Sequence, residues 1–262
     1  MPQTVRFTCA GRTDVGVVRS GNEDAFLMLP ERGVFIVADG MGGHAAGEVA
    51  SEMAVRIIGK AIEDIAGQAD PDAAELIRNG IVEANGAIFQ RTLVEQDKRG
   101  MGTTATAMVI NGPRYLIGQV GDSRAYVFRE EQLYQITKDH SYVQEQVDAG
   151  YLTPEQARTH PYSNVITRCV GANADVIPDI YVGALRSGDV FLLASDGLTG
   201  MLEDQDLRNL MERIKSPGEL VDKLISEANR RGGLDNVTTI IVRIDSVGRT
   251  SDEFETVTAA QV

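Results

Sequence analysis

At 262 residues, with hydrophobic side chains making up 43% of the chain, the sequence is long and apolar enough for one substantial core and is not that of a disordered protein. A formal net charge of −13 argues against nucleic acid and anionic membrane as main partners, because both select basic surfaces. An acidic chain that handles phosphate needs metal ions to offset its own carboxylates at the site.

No apolar run approaches the roughly 20 residues that cross a bilayer. The N-terminal MPQTVRFTCAGR has no apolar stretch of the secretory kind. Cys9 and Cys169 have neither metal nor redox spacing. They suit a reducing, cytoplasmic compartment and read as two buried small hydrophobes.

In chain order, VFIVA at 34–38 is the first predicted strand. Two helices follow at 47–66 and 71–96, with Val49, Met53, Ile57 and Ile58 on the apolar face of the first and Leu76, Ile77, Ile81, Ile88 and Phe89 on that of the second. Asp70 is the expected cap of the second helix, and Pro71 fits its first turn. Strands at 104–110, 114–120, 124–129 and 132–137 then run consecutively, joined by Asn111-Gly112-Pro113 and Glu130-Glu131 as tight turns. The stretch 139–175 breaks this rhythm with short helices near 141–149 and after Thr153-Pro154, and reads as a flap inserted at the sheet edge. Its polar positions, including Gln144, Glu145, Gln146 and Asp148, suit a mobile segment that shapes access to a site, or equally a rigid structural insert. A strand at 189–195, helices at 203–213 and 217–231, and a strand at 237–244 complete the core. The pattern is α+β without βαβ alternation. It predicts one domain over 1–245, with the flap at about 141–175, and a polar tail over 246–262.

Four acids stand at strand ends beside glycine. Asp39 lies between VFIVA and Gly40, Asp122 follows Gly121, Asp196 precedes Gly197, and Asp235 follows Gly232-Gly233-Leu234 just before the last strand. An Asp-Gly pair alone is an ordinary turn former. Four of them, three after strongly apolar strands, point to metal, because a buried carboxylate needs a cation or donor. Magnesium and manganese take oxygen ligands, and a two-metal hydrolytic site is assembled in this way. The loop Gly42-Gly43-His44-Ala45-Ala46-Gly47 has the outline of a nucleotide phosphate loop, but Glu48-Val49 replaces the required Lys-Ser/Thr. Arg19, just before Glu23 and Asp24, offers the fork that phosphate oxygens accept, although taken alone it reads as one side of a surface salt bridge. Arg124 is assigned instead to a structural partnership with an acid.

Together RSGNED (19–24), VADGMGGHAAGEVAS (37–51), GTTATA (102–107), GDSRAY (121–126), KDHS (138–141), ASDGL (194–198) and GGLDNVT (232–238) resemble the metal-dependent protein serine/threonine phosphatases of the PPM, or PP2C-type, family, bacterial branch. The resemblance implies a sandwich of two antiparallel sheets flanked by helices on both faces. It implies a binuclear Mn2+ or Mg2+ centre bridged by Asp39, with Asp196 and Asp235 on one metal and the Gly40 carbonyl on the other. Glu23 and Asp24 would hold metal-bound waters, and Asp122 with Asp196 a third, weaker cation. Arg19 would bind the phosphate, and Asn236 would orient the Asp235 loop. The implied reaction is hydrolysis of phosphoserine and phosphothreonine in proteins by a metal-bridged hydroxide, without a covalent intermediate. The implied partners are substrates of a cognate serine/threonine kinase, met by a monomer.

Animal members carry histidine directly after the Asp-Gly pair, where this chain has Met41, so His44 and a water near Asp122 are the alternative proton donors. His140 is expected in a polar structural contact and His160 on the flap surface. The cysteine-phosphatase pattern fails, since Val15 follows Cys9 and Asp175 follows Cys169 where arginine is required. The rival readings are a phosphatase of small metabolites, a phosphoprotein-binding pseudophosphatase and, more weakly, a calcium-binding module, against which no acidic loop has EF-hand spacing.

Overall fold

The computed structural model describes residues 5–42, 46–65 and 67–248. One sheet takes the order β1 (Val5–Asp14), β11 (Val237–Val247), β10 (Val190–Ala194), β7 (Arg124–Arg129), β8 (Gln132–Gln135). The other runs β2 (Asp24–Leu29), β3 (Val34–Met41), β5 (Ala105–Asn111), β6 (Arg114–Val120), β9 (Asp179–Ala184), with the two-residue β4 (Gly102–Thr103) paired to the end of β3. All pairings between these strands are antiparallel.

Side-chain alternation explains why the central strands are apolar throughout. In β3, Val34, Ile36 and Ala38 pack with α1 (Gly47–Ile62) and α2 (Asp70–Val94), whereas Phe35 and Val37 face the opposing sheet. In β10, Val190, Leu192 and Ala194 pack with α6 (Asp204–Arg213) and α7 (Pro217–Arg230), and Phe191 and Leu193 point inward. Both faces are covered, so no polar alternation survives. Three apolar layers result, one between the sheets and one beneath each helical pair, and the expected flanked sandwich is what forms.

Three longer strands escaped prediction: β1, β2 and β9. Each is a sheet edge, with mixed burial and with charged or glycine positions that blunt the apolar signal. Other expectations need correction. The first helix ends at Ile62, not 66, and the strand expected to reach 137 ends at Gln135. Ala69 occupies the cap position of α2, while Asp70 is its first residue and pairs with Arg114 at 2.9 Å. Of the predicted tail, residues 246–247 belong to β11, where Ser246 and Val247 pair with Arg6 and Val5; residues 249–262 lie outside the described ones. Both cysteines are half-buried, not fully buried.

The stretch 139–175 carries α3 (Tyr142–Asp148) and α4 (Pro154–Arg158), the latter opened by a Thr153–Gln156 capping box. It is tied down at Ser141 to Ile166 and at Thr103 to Val170. A four-residue helix, α5 (Asp196–Thr199), follows β10 directly.

Ile77 of α2 is fully buried and lies over Gly118 of β6. Ile77→Ala is expected to lower unfolding free energy by about 2–5 kcal/mol. Val82→Ala on the same helix, at 42% exposure, should stay within about 0.5 kcal/mol. Urea unfolding of the two variants checks both.

Candidate metal centre

The strand directions bring five acids to one end of the sandwich. Asp24 opens β2 and stands opposite Asp39 near the end of β3. Asp122 lies in the short connection by which the chain leaves β6 and enters β7 in the other sheet. Asp196 follows β10 and Asp235 precedes β11, so both layers contribute. The strand of Asp39 is longer than expected: pairing with β4 carries it through Gly40 to Met41.

Two glycines permit the crowding. A Cβ on Gly40 would stand 2.2 Å from the Gly47 carbonyl oxygen and 2.4 Å from that of Glu23. One on Gly197 would stand 1.9 Å from the carbonyl oxygen of Asn236, so only glycine lets the Asp196 and Asp235 segments abut.

Asp24 and Asp122 are only 9% and 7% exposed; Asp39, Asp196 and Asp235 keep a partly open surface. Burial is the main cause that lifts the Asp24 carboxyl to about 7, against hydrogen bonds from Thr238 and Ser195, and Asp122 to about 8, with the charge of Asp196 adding to it. Asp39 is pushed well above the ordinary range by burial and then by Asp24, Asp196 and Asp122. Asp196 rises through burial and the nearby Asp235, and its carboxyl lies within hydrogen-bonding reach of that of Asp39. Glu23 also rises, through burial first.

Arg19, half exposed, donates from Nη2 to Asp235 Oδ2 at 2.7 Å. Arg124 is held elsewhere: it grips Asp139 through three hydrogen bonds of 2.7–3.0 Å and reaches the Tyr126 hydroxyl, as its structural assignment required. Asn236 accepts from the Glu23 amide at 2.8 Å and donates to the carbonyls of Val15 and Gly21, tying the Arg19 loop to the Asp235 turn. His140 sits in a buried polar contact with the Gly121 amide and Asp179, and burial lowers its pKa. His160 stands on the flap beside the rings of Tyr142 and Tyr162. His44 lies outside the described residues.

Among the described residues no three acidic, histidine or cysteine side chains stand close enough together to hold one metal ion between them. What the site does provide is hard oxygen donors gathered from several segments, with excess negative charge and one half-exposed guanidinium on Asp235. That donor set suits Mg2+ or Mn2+ and does not suit soft metals.

Several contributors were not identified from the sequence. The Ser195 hydroxyl donates to Asp24 Oδ2 at 2.7 Å and accepts from the Thr238 amide. Thr103 and Thr104 hold the backbone of Asp39. All three lie inside the motifs quoted above, but in a β-rich stretch their types suggest only strand propensity.

The raised acids fix a pH dependence. Asp24 at about 7 and Asp122 at about 8 keep protons that the unfolded chain releases near its ordinary 3.8. From about pH 5 to 8 the folded state therefore binds more protons, and metal-free stability falls as pH rises. Acids held low by ion pairs, such as Glu227 at about 2 beside Arg230 and Arg231, change charge below this window. Mn2+ favours the ionised carboxylates and should flatten the decline. Melting temperatures in EDTA and in Mn2+ check this, and a metal-free value that rises over the window would refute it.

The protein phosphatase 2C family profile matches residues 18–225. Serine/threonine phosphatase stp of Listeria monocytogenes is 38% identical over 238 residues, which cover 89% of this chain and 94% of that protein. The crystal structure of the serine/threonine phosphatase PstP/Ppp of Mycobacterium tuberculosis superposes with a TM-score of 0.86 at 37% identity, over 92% of this chain and 100% of the other. The catalytic domain of PstP in complex with two manganese ions gives a TM-score of 0.83 at 36% identity, over 92% and 99%. With the profile spanning most of the chain, including Asp24, Asp39, Asp122 and Asp196, the chain belongs to the protein phosphatase 2C family.

Proposed function

We propose that this protein serine/threonine phosphatase hydrolyses phosphoserine and phosphothreonine esters at the carboxylate end of its sandwich, with Mn2+ or Mg2+ as cofactor. The observation that carries the reading is the meeting of Asp24, Asp39, Asp122, Asp196 and Asp235 from both sheets, with Arg19 bonded at their edge.

Asp39, Asp196, Asp235 and the Gly40 carbonyl are the ligands we assign to two cations, and Asp122 with Asp196 to a third, weaker one. The chemistry supplied by the bound ions is Lewis acidity, which makes water a nucleophile at neutral pH and offsets charge on phosphate. Glu23 and Asp24 orient surrounding water; Ser195 and the Asn22 side chain hold Asp24 for that task. Asn236 keeps the Arg19 loop against the Asp235 turn.

Arg19 stabilises the equatorial oxygens of the transferring group. Its pair with Asp235 is half exposed, so redirecting the guanidinium toward a phosphate costs little. His44 is our candidate proton donor to the leaving alkoxide, with a water near Asp122 as the alternative. A covalent phosphoenzyme is not part of the proposal: both cysteine thiols are raised by burial, and the Ser195 hydroxyl is committed to Asp24 and Thr238. The phosphoproteins made by a serine/threonine kinase, encountered by a cytoplasmic monomer, complete the reading.

A small-metabolite phosphatase and a pseudophosphatase are the rivals. The first would turn over free phosphate esters better than phosphopeptides; the second would bind phosphopeptides without releasing phosphate. Phosphate release from a phosphothreonine peptide, with and without Mn2+ or Mg2+, decides among them. We expect metal-dependent turnover, reduced about 10³-fold or more in Asp39→Asn. Arg19→Ala should lower kcat/KM by about 10- to 100-fold. Equal activity of Asp39→Asn and wild type would reject the assignment of Asp39.

A further inference from the structure

Beneath the carboxylates lies a polar network that the reaction itself leaves unused. Thr103, Thr104, Thr106, Gln119 and Ser123 are fully buried. The Asp39 amide donates to Thr104 Oγ1 at 2.9 Å, and the Thr104 amide donates to the Asp39 carbonyl at 2.8 Å. Thr103 Oγ1 donates to the same carbonyl at 2.9 Å. The backbone of Asp39 is thus clamped by two consecutive threonines.

The clamp extends to the connection that leads into the other sheet. Thr104 Oγ1 lies 2.7 Å from Ser123 Oγ, and either hydroxyl can supply the shared proton. Ser123 directly follows Asp122. The connection that carries Asp122 is itself gripped: Gln119 Nε2 donates to the carbonyls of Gly121 at 3.0 Å and Ser123 at 2.7 Å. Gln119 Oε1 accepts from Thr106 Oγ1 at 2.6 Å, and the Gly121 amide donates to His140 Nδ1 at 3.0 Å. One hydroxyl pair therefore links the strand of Asp39 to the crossing that bears Asp122.

We infer that Thr104 and Ser123 are positioning residues, whose hydroxyl pair fixes the Asp39 and Asp122 carboxylates relative to one another and thereby sets the affinity for divalent cation. Neither hydroxyl belongs to the ligand set. Their effect passes through the backbone of Asp39 and of the Asp122 connection, in the way that partners of metal ligands tune a site from outside it. In an ordinary core, two hydroxyls in a β-sheet could equally be replaced by methyl groups of the same shape. Here that replacement would leave the Asp39 amide without an acceptor at the point where the carboxylates must be held. The inference rests on the reading of the acids as a metal site.

The test is calorimetric titration of Mn2+ into metal-free protein, with melting temperature measured alongside. Thr104→Val and Ser123→Ala should each weaken Mn2+ binding about tenfold or more. Thr104→Ser, which keeps the hydroxyl, should remain within about twofold of wild type. Thr137→Val is the control: Thr137 is also buried and accepts from the Ala125 amide at 2.9 Å, but is not bonded to the carboxylate segments. It should lower the melting temperature and leave Mn2+ binding unchanged. If Thr104→Val does not fold, the milder Ser123→Ala decides. Wild-type affinity in folded Thr104→Val or in Ser123→Ala would overturn the inference while leaving the metal site intact. A wild-type protein that binds no Mn2+ would overturn both.

Discussion

Like charge held close together and out of water is the constraint on which the rest of this structure depends. Elsewhere the chain deals with buried acids in the usual way. Asp189 is gripped by Arg129 through bonds of 2.6 and 2.7 Å, and Asp139 by Arg124. Among the described residues no basic side chain pairs with Asp24 or Asp122, although both are buried. The fold offers Asp24 the hydroxyls of Ser195 and Thr238 and sets both acids near other carboxyls, which leaves their charge unbalanced when they ionise. That deficit is the one a divalent cation would make good.

The sandwich makes that concentration possible. Strands of both sheets terminate at the same end, so short connections from each layer project their acids into one space. The inward layer of Phe35, Val37, Phe191, Leu193 and Ile240 fixes the separation of the sheets, and the helical pairs on either side keep both sheets rigid. Apolar packing thus does the work of alignment, while the polar network around Thr104 and Gln119 makes the last adjustment. Each level acts over a shorter distance than the one before.

What could be read from the sequence follows the same physics. VFIVA and VFLLA were legible as strands because both faces are buried, and the acids after them were legible because a carboxylate beside glycine is costly there. Three edge strands were not, since β1 and β9 carry polar and glycine positions that solvent tolerates; β8, also an edge, was legible from the Glu130-Glu131 turn before it. Asp70 illustrates a different limit: its position suits a cap, but its carboxylate is drawn to Arg114 in a strand distant along the chain. The Thr104–Ser123 pair was invisible for a similar reason. Nothing local distinguishes a threonine that fills a strand from one that braces a site 65 residues away in the chain.

The sandwich is also polar in the geometrical sense. The turns joining β2 to β3, β5 to β6, β7 to β8 and β9 to β10 all fall at the end opposite the acids. Two of them are tight hairpins, at Gly112-Pro113 and at Glu130-Glu131, the latter with both residues at positive φ of 52° and 62°. Sequence can be lengthened or exchanged there without disturbing a ligand or its supports. The molecule therefore has a conservative pole that holds the chemistry and a permissive pole on which a lineage, or an engineer, can graft recognition loops, tags or reporters.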